Sequence, residues 1–454
     1  MWQCGFMKKE IWLAIISAGT LAVTQGAPLV VHEWGTFTSL QDETGRTLGG
    51  INTDDEPVPS FCHDVNPYLI VRSGELPPVL YKGIGSCNPE VTMRLETPVL
   101  YFHPPKDATT PLDVSVKVAF RGGWLTQFYP EAQVEGFSQN QRLTEDSNGS
   151  LNWNNLKIGG AAAGPETTDR VWTAPRAVDA ASVTATNAES ERFLFYRGVG
   201  HLLCPLQVSR TADSKKLEGW AQCGSGLPDG AAMSLSHLWL VSIHPGGQCA
   251  FRALPAVTLK GRQEPGSSGS LFTTPAEFAS ADYSAGNLGR LRREMHGALE
   301  AQGLYADEAE ALLNTWEVSY FQSPGLRLFF MVPQAWTDAY LPLQISVPSE
   351  IKRAMVGRLE LVTPKQRALL QKLALAPAPN KPWAQFAVKD GKPAFEGTMP
   401  AAYRDLGRFR NALLLDEYKA RPNPSLQAFI TLNRLQAAAG GGNAALLRQG
   451  IGGE

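Results

Sequence analysis

Leu112-Asp-Val-Ser-Val-Lys-Val-Ala-Phe120 alternates apolar and polar side chains more regularly than any other stretch of the chain. A period of two is the signature of a half-buried β-strand. The same alternation, less strict, runs through residues 91–102, and apolar runs at 29–40, 191–196, 238–243 and 250–259 predict further strands, with a short one near 151–156. From Gly286 the period lengthens. Leu288, Leu291, Met295 and Leu299 predict an amphipathic helix that stops at Gly303, and Asp307 opens a second helix through Asn314. Residues 315–321 and 326–332 then read as a hairpin turned by Ser323-Pro-Gly325. Thr363-Pro-Lys-Gln366 combines a cap, a proline at the first helical position and a glutamine three residues on, which together begin a helix. A proline-rich linker at 376–381 precedes two more expected helices, near 402–420 and 424–437.

These elements predict a mainly β (α+β) fold: a β-sandwich or related double sheet with C-terminal helical elaborations. The expected organisation is a β-rich main domain over 27–362 with a helical insertion at about 286–314. A helical region over 363–440 and a flexible tail over 441–454 complete it. Residues 1–26 read as a signal peptide: Lys8 and Lys9, an uncharged run over 11–23, then small residues with cleavage expected after Gly26. Periplasmic or secreted localisation follows, and no later segment is apolar enough to span a membrane. With 41 basic and 43 acidic residues the chain carries no field for nucleic acid or an anionic membrane.

Export places Cys62, Cys87, Cys204, Cys223 and Cys249 in an oxidising compartment, where pairs are expected. The alternating segments around Leu206 and Trp220 form a hairpin centred between Asp213 and Ser214. In that register Leu206 faces Ala221, Val208 faces Gly219 and Cys204 faces Cys223, as a disulfide requires. Elimination makes Cys62 and Cys87 a second pair.

The densest collection of reactive side chains lies in His32-Glu33, Asp54-Asp-Glu56 and Cys62-His-Asp64. Imidazole and carboxylate groups brought to one spot can hold a metal or move protons, so His32, His63 and Asp64 are the expected ligands of a divalent metal ion. His32 and Glu33 are expected catalytic groups, with Arg197 and His201 contributing from the end of the strand Phe193-Leu-Phe-Tyr-Arg-Gly-Val-Gly-His201. Against this, alternation turns His32 and Glu33 to opposite faces, and no spacing matches a known ligand signature. No nucleophile-elbow serine, dinucleotide loop, phosphate loop or Cys-x-x-Cys is present. A reactive thiol at Cys62 or Cys249 competes with the reading of an inert buried cysteine. Eleven tryptophans invite a glycan-binding surface instead, since exposed indoles stack on sugar rings.

Val31-His-Glu-Trp-Gly-Thr-Phe-Thr-Ser39 and Arg94-Leu-Glu-Thr-Pro-Val-Leu-Tyr-Phe102 resemble a group of exported bacterial proteins with no assigned activity. The resemblance implies export and transfers no catalytic residues. The functional expectation is a metal-assisted hydrolase acting on an extracellular substrate. The alternative is a non-catalytic carbohydrate-binding or structural β-sandwich.

Overall fold

A computed structural model describes residues 27–432, apart from 53–57, 66–79, 82–83, 86–87, 109–110, 138–140, 162, 223–231, 261–268, 382–384, 390–391 and 397–398. The expected leader and tail, the carboxylates of Asp54, Asp55 and Glu56, and the thiols of Cys87 and Cys223 lie outside the described residues.

The long strands are β1 (Leu29–Gln41), β2 (Met93–His103), β3 (Leu112–Arg121), β4 (Gly123–Tyr129), β5 (Asn148–Ile158), β6 (Leu194–Gly200), β7 (Leu238–Ile243), β8 (Cys249–Leu254), β9 (Gly325–Val332) and β10 (Ser349–Leu361). They belong to one mixed sheet of 15 strands in the order β5-β4-β6-β2-β1-β10-β9-β7-β8, with β3 paired to β5. The fold is mainly β with helices added, as the periodicity predicts.

β1 sits at the centre, antiparallel to β2 and parallel to β10. Both of its edges are paired and both of its faces are covered, so every residue of β1 except Val30 is buried. A strand in that position has no solvent face to alternate against. β3 is the contrast, burying Val114, Val116, Val118 and Phe120 while the residues between them face outward. Those four pack in one cluster with Val31 and Phe37 of β1, Leu95 and Phe102 of β2, and Leu151 and Trp153 of β5. The sheet therefore doubles back over its own centre, as a double sheet.

The other face of β1 is covered by helices. Trp34 packs with Leu291, Met295 and Leu299 of α1 (Ala285–Ala301) and with Leu312 and Leu313 of α2 (Ala306–Thr315). On the first face, Trp336 of α3 (Gln334–Tyr340) meets the Phe37 ring edge-on. Farther along the helical face, Leu40 packs with Leu370 of α4 (Pro364–Leu375), Leu414 of α5 (Arg410–Ala420) and Leu426 of α6 (Pro424–Leu432). α4 begins at the expected cap, with the Gln366 N–H donating to Thr363 Oγ1 at 3.3 Å.

Several expectations are corrected. Residues 315–321 are not a strand: α2 ends at Thr315, and Val318–Gln322 forms a π-type turn whose Ser323 N–H reaches the Val318 carbonyl at 2.8 Å. Trp316 and Tyr320 are both buried at a spacing of four, a helical period that the β-rich composition of the segment conceals. Residues 250–259 break at Pro255 into β8 and Val257–Lys260, because proline has no N–H for the ladder. The helix expected over 402–420 is interrupted at Gly407, whose φ is +87°. Gln385–Lys389 and Lys392–Glu396 pair as a hairpin inside the region expected to be helical.

Candidate metal centre

His32 follows the apolar start of β1 and lies opposite Tyr101, while Val30 lies opposite His103. The two histidines are thus diagonal neighbours on the helical face, with ring centroids 5.2 Å apart. Above them the chain turns from α1 into α2. Gly303 permits the reversal with φ +100°, and the first turn of α2 brings Glu308 down onto the sheet.

The Glu308 carboxylate then meets three groups. Its Oε2 accepts the Tyr305 N–H at 2.7 Å and lies 2.7 Å from His32 Nδ1, and its Oε1 lies 2.9 Å from His103 Nε2. His32 and Glu308 are buried, and His103 is partly open. The Tyr305 ring packs 4.6 Å from the His32 ring and 4.9 Å from the His103 ring, and is itself 47% exposed. Burial would push the Glu308 carboxyl up, but hydrogen bonds from His103, His32 and the Tyr305 N–H hold it below its ordinary value.

One ligand atom from each of His32, His103 and Glu308 falls within 4.8 Å of the others. Two imidazoles and a carboxylate form a donor set that suits zinc and other first-row divalent ions. Metal–ligand bonds of about 2.0–2.1 Å in a tetrahedral site hold the ligand atoms about 3.3 Å apart. Around a cation the pairs at 2.7 and 2.9 Å would open by about half an ångström, and the widest separation, up to 4.8 Å, would close by more.

The other expected residues do not join this cluster. Glu33 faces the opposite side of β1, as alternation requires. It accepts from Arg353 Nε at 2.5 Å and from the Tyr196 hydroxyl, while Arg353 Nη1 also reaches Asp338 at 2.9 Å. Glu33 and Arg353 are both buried, so the group expected to be catalytic is half of an internal ion pair. Burial alone would lower Arg353, and the Glu33 carboxylate more than reverses it. His63 and Asp64 pair with β4, which is three strands from β1, so they lie four strand positions from β1, or roughly 19 Å at about 4.8 Å per strand. His63 Nε2 contacts Glu189 at 2.8 Å. Arg197 is buried in β6 over the Phe195 ring. His201 follows Gly200, which pairs with Met93, and its Nδ1 lies 2.7 Å from the Glu90 carbonyl. Eight residues of β2 separate Met93 from Tyr101, roughly 26 Å. The expected ligand set of His32, His63 and Asp64 is therefore not assembled; His103 and Glu308 accompany His32 instead.

The thiols support no catalytic reading. Burial raises Cys62 well above the ordinary thiol range, Cys204 to about 12 and Cys249 to about 11. The hairpin register holds, with Leu206 opposite Ala221 and Val208 opposite Gly219. Cys204 is unbridged in this structure. Eight tryptophans among the described residues (34, 124, 153, 172, 220, 239, 316 and 336) are all buried.

Neither His103 nor Glu308 is among the expected ligands, although His103 stands directly after the alternating segment 91–102. The signal for Glu308 is its position: Glu308, Ala311, Leu312 and Thr315 form one buried stripe of α2, so a carboxylate occupies the face a helix reserves for apolar groups.

No family model matches the chain, and no curated protein matches it. Among solved structures, the Fcho1 Mu homology domain (Danio rerio) with bound Eps15 peptide aligns with 75% of this chain and 100% of that chain. The identity is 8% and the TM-score 0.28, a likeness that carries no functional argument.

Proposed function

We propose that this chain is an exported, metal-dependent hydrolase whose divalent cation, zinc by donor chemistry, is held by His32, His103 and Glu308. The observation that carries the reading is the convergence of three ligand atoms from three separate elements within 4.8 Å. Three protein ligands leave a coordination position open, and a cation there lowers the pKa of bound water toward 7 and polarises a carbonyl or phosphoryl oxygen. The cluster reaches solvent through His103 and Tyr305, the side from which water and substrate would approach. Support for export is the leader pattern alone; no helix among the described residues is long and apolar enough to cross a membrane. The glycan-binding alternative rested on exposed indoles, and the burial of the eight described tryptophans removes that support.

The test is hydrolysis of chromogenic esters and phosphate esters by the purified mature protein, before and after chelation and after zinc is restored. The proposal expects activity that disappears on chelation, returns with zinc and is absent in His32→Gln. Activity indifferent to chelator, or no turnover by the zinc-loaded protein on any ester class, overturns the hydrolase reading.

A further inference from the structure

The metal cluster sits where three neighbouring strands reach one end of the sheet: β2 ends at His103, β1 begins at Leu29 and β10 begins at Ser349. Register fixes what lies beside each ligand. Tyr101, His32 and Lys352 form one row across the three strands, and His103, Val30 and Glu350 form the next row outward. Directly paired residues point to the same face, so Lys352 stands one strand, about 4.8 Å, from His32 on the face covered by Glu308.

The turn between α1 and α2 holds the Lys352 stem at that level. A Cβ on Gly303 would stand 3.1 Å from both Cγ and Cδ of Lys352, so the turn backbone lies directly against the stem. Two residues on, Tyr305 packs against both histidine rings. The Lys352 side chain is 42% exposed, so its ammonium opens to the solvent that also reaches His103 and Tyr305. Its Nζ donates to Glu350 Oε1 at 3.1 Å, and the Glu350 side chain is 52% exposed. An ion pair this exposed is weak, and an ammonium has three N–H donors to share. The Asp307 carboxylate is engaged elsewhere, accepting the Glu308 N–H at 3.0 Å and the Asp179 N–H at 2.9 Å.

An ammonium beside a divalent cation repels it, and the arrangement becomes favourable when an anion lies between the two. We propose that Lys352 selects the substrate of the metal centre, and that this substrate is a phosphate monoester. The inference rests on the metal-dependent hydrolase reading. Two neutral imidazoles and one carboxylate leave a divalent cation with one net positive charge, and Lys352 brings a second. A phosphate monoester carries close to two negative charges at neutral pH, whereas a neutral carboxylic ester carries none. Its phosphoryl group has three oxygens to divide between the cluster and the Lys352 ammonium. Hydrolysis joins the oxygen of water to phosphorus and breaks the bond to the alcohol. One water proton leaves with the alcohol, and the other stays on the inorganic phosphate released.

The experiment is calorimetric titration of the zinc-loaded mature protein with inorganic phosphate, for wild type, Lys352→Gln and Glu350→Gln, with zinc content measured in each. Saturable binding is expected in the wild type. Lys352→Gln should bind about fivefold more weakly or worse at unchanged zinc content, and Glu350→Gln, which frees the ammonium, more tightly. In turnover, Lys352→Gln should raise KM for 4-nitrophenyl phosphate and leave 4-nitrophenyl acetate unaffected. Both substituted side chains are half-exposed, so both variants should fold. A zinc-loaded wild type that binds no phosphate, or wild-type phosphate affinity in Lys352→Gln, overturns the proposal and leaves the metal centre standing. A mature protein that takes up no zinc overturns the metal reading and this proposal with it.

Discussion

Replacing Glu33 by alanine separates a structural from a catalytic role for the most conspicuous carboxylate of β1. The side chain is fully buried and engages Arg353 Nε at 2.5 Å together with the Tyr196 hydroxyl. Its removal strands a guanidinium inside the double sheet. Breaking a buried ion pair costs about 3–5 kcal/mol. Arg353 keeps Asp338 Oδ1 at 2.9 Å and the Leu341 carbonyl at 2.6 Å, and half of the Asp338 side chain is exposed, which argues for the lower end. The orphaned Tyr196 hydroxyl adds about 1 kcal/mol. The expected loss is therefore roughly 4 kcal/mol. Urea unfolding should show it as a lowered midpoint at unchanged slope. Glu33→Leu with Arg353→Met, which removes both charges and fills the space, should recover most of the loss. A Glu33→Ala protein destabilised by less than about 1 kcal/mol, or a double variant as unstable as the single, would refute the assignment of Glu33 as a structural ion-pair partner.

Three other outcomes follow from local features. Burial would raise Glu189, but the Glu131 N–H, His63 and Asn187 hold it below its ordinary value. A depressed carboxylate stabilises the fold above about pH 4.3 and loses that contribution as pH falls through the folded value. Urea midpoints across acidic pH should therefore fall less steeply in Glu189→Gln than in the wild type; identical slopes would count against the His63–Glu189 contact. Non-reducing peptide mapping of protein made under oxidising conditions should link Cys204 to Cys223, closing an interior loop worth about 3 kcal/mol; recovery of both as free thiols contradicts it. Thr363→Ala removes the side-chain oxygen that accepts the Gln366 N–H and should cost about 1 kcal/mol in thermal or urea unfolding, with no loss pointing to a cap replaced by water.

Much of the β framework was legible because its signal is local. The alternation at 112–120 corresponds to β3 almost residue for residue, and the hairpin register around Leu206 and Ala221 is the one the sequence predicts. β1 was legible as a strand, but its buried polar residues do not announce their partners. His32 meets Glu308 across 276 positions, and Glu33 meets Arg353 across 320. Local clustering drew attention to Cys62-His-Asp64, whereas the sheet order sets that segment four strands away. Sequence proximity says nothing about strand order, and strand order decides which side chains share a site. The turn at Val318–Gln322 was misread for a related reason. Val, Tyr and Phe favour strands intrinsically, and the burial of Trp316 and Tyr320 on one helical face overrides that preference.

The central claim is that His32, His103 and Glu308 are one metal centre. Elemental analysis of the protein after loading with zinc and exhaustive dialysis tests it most directly, applied in parallel to wild type, His103→Ala and Glu308→Gln. The account predicts one zinc per chain in the wild type and less than a tenth of that in either variant, while both variants keep a cooperative unfolding transition. Stoichiometric zinc retained by both variants, or a wild type that emerges without zinc, would contradict it.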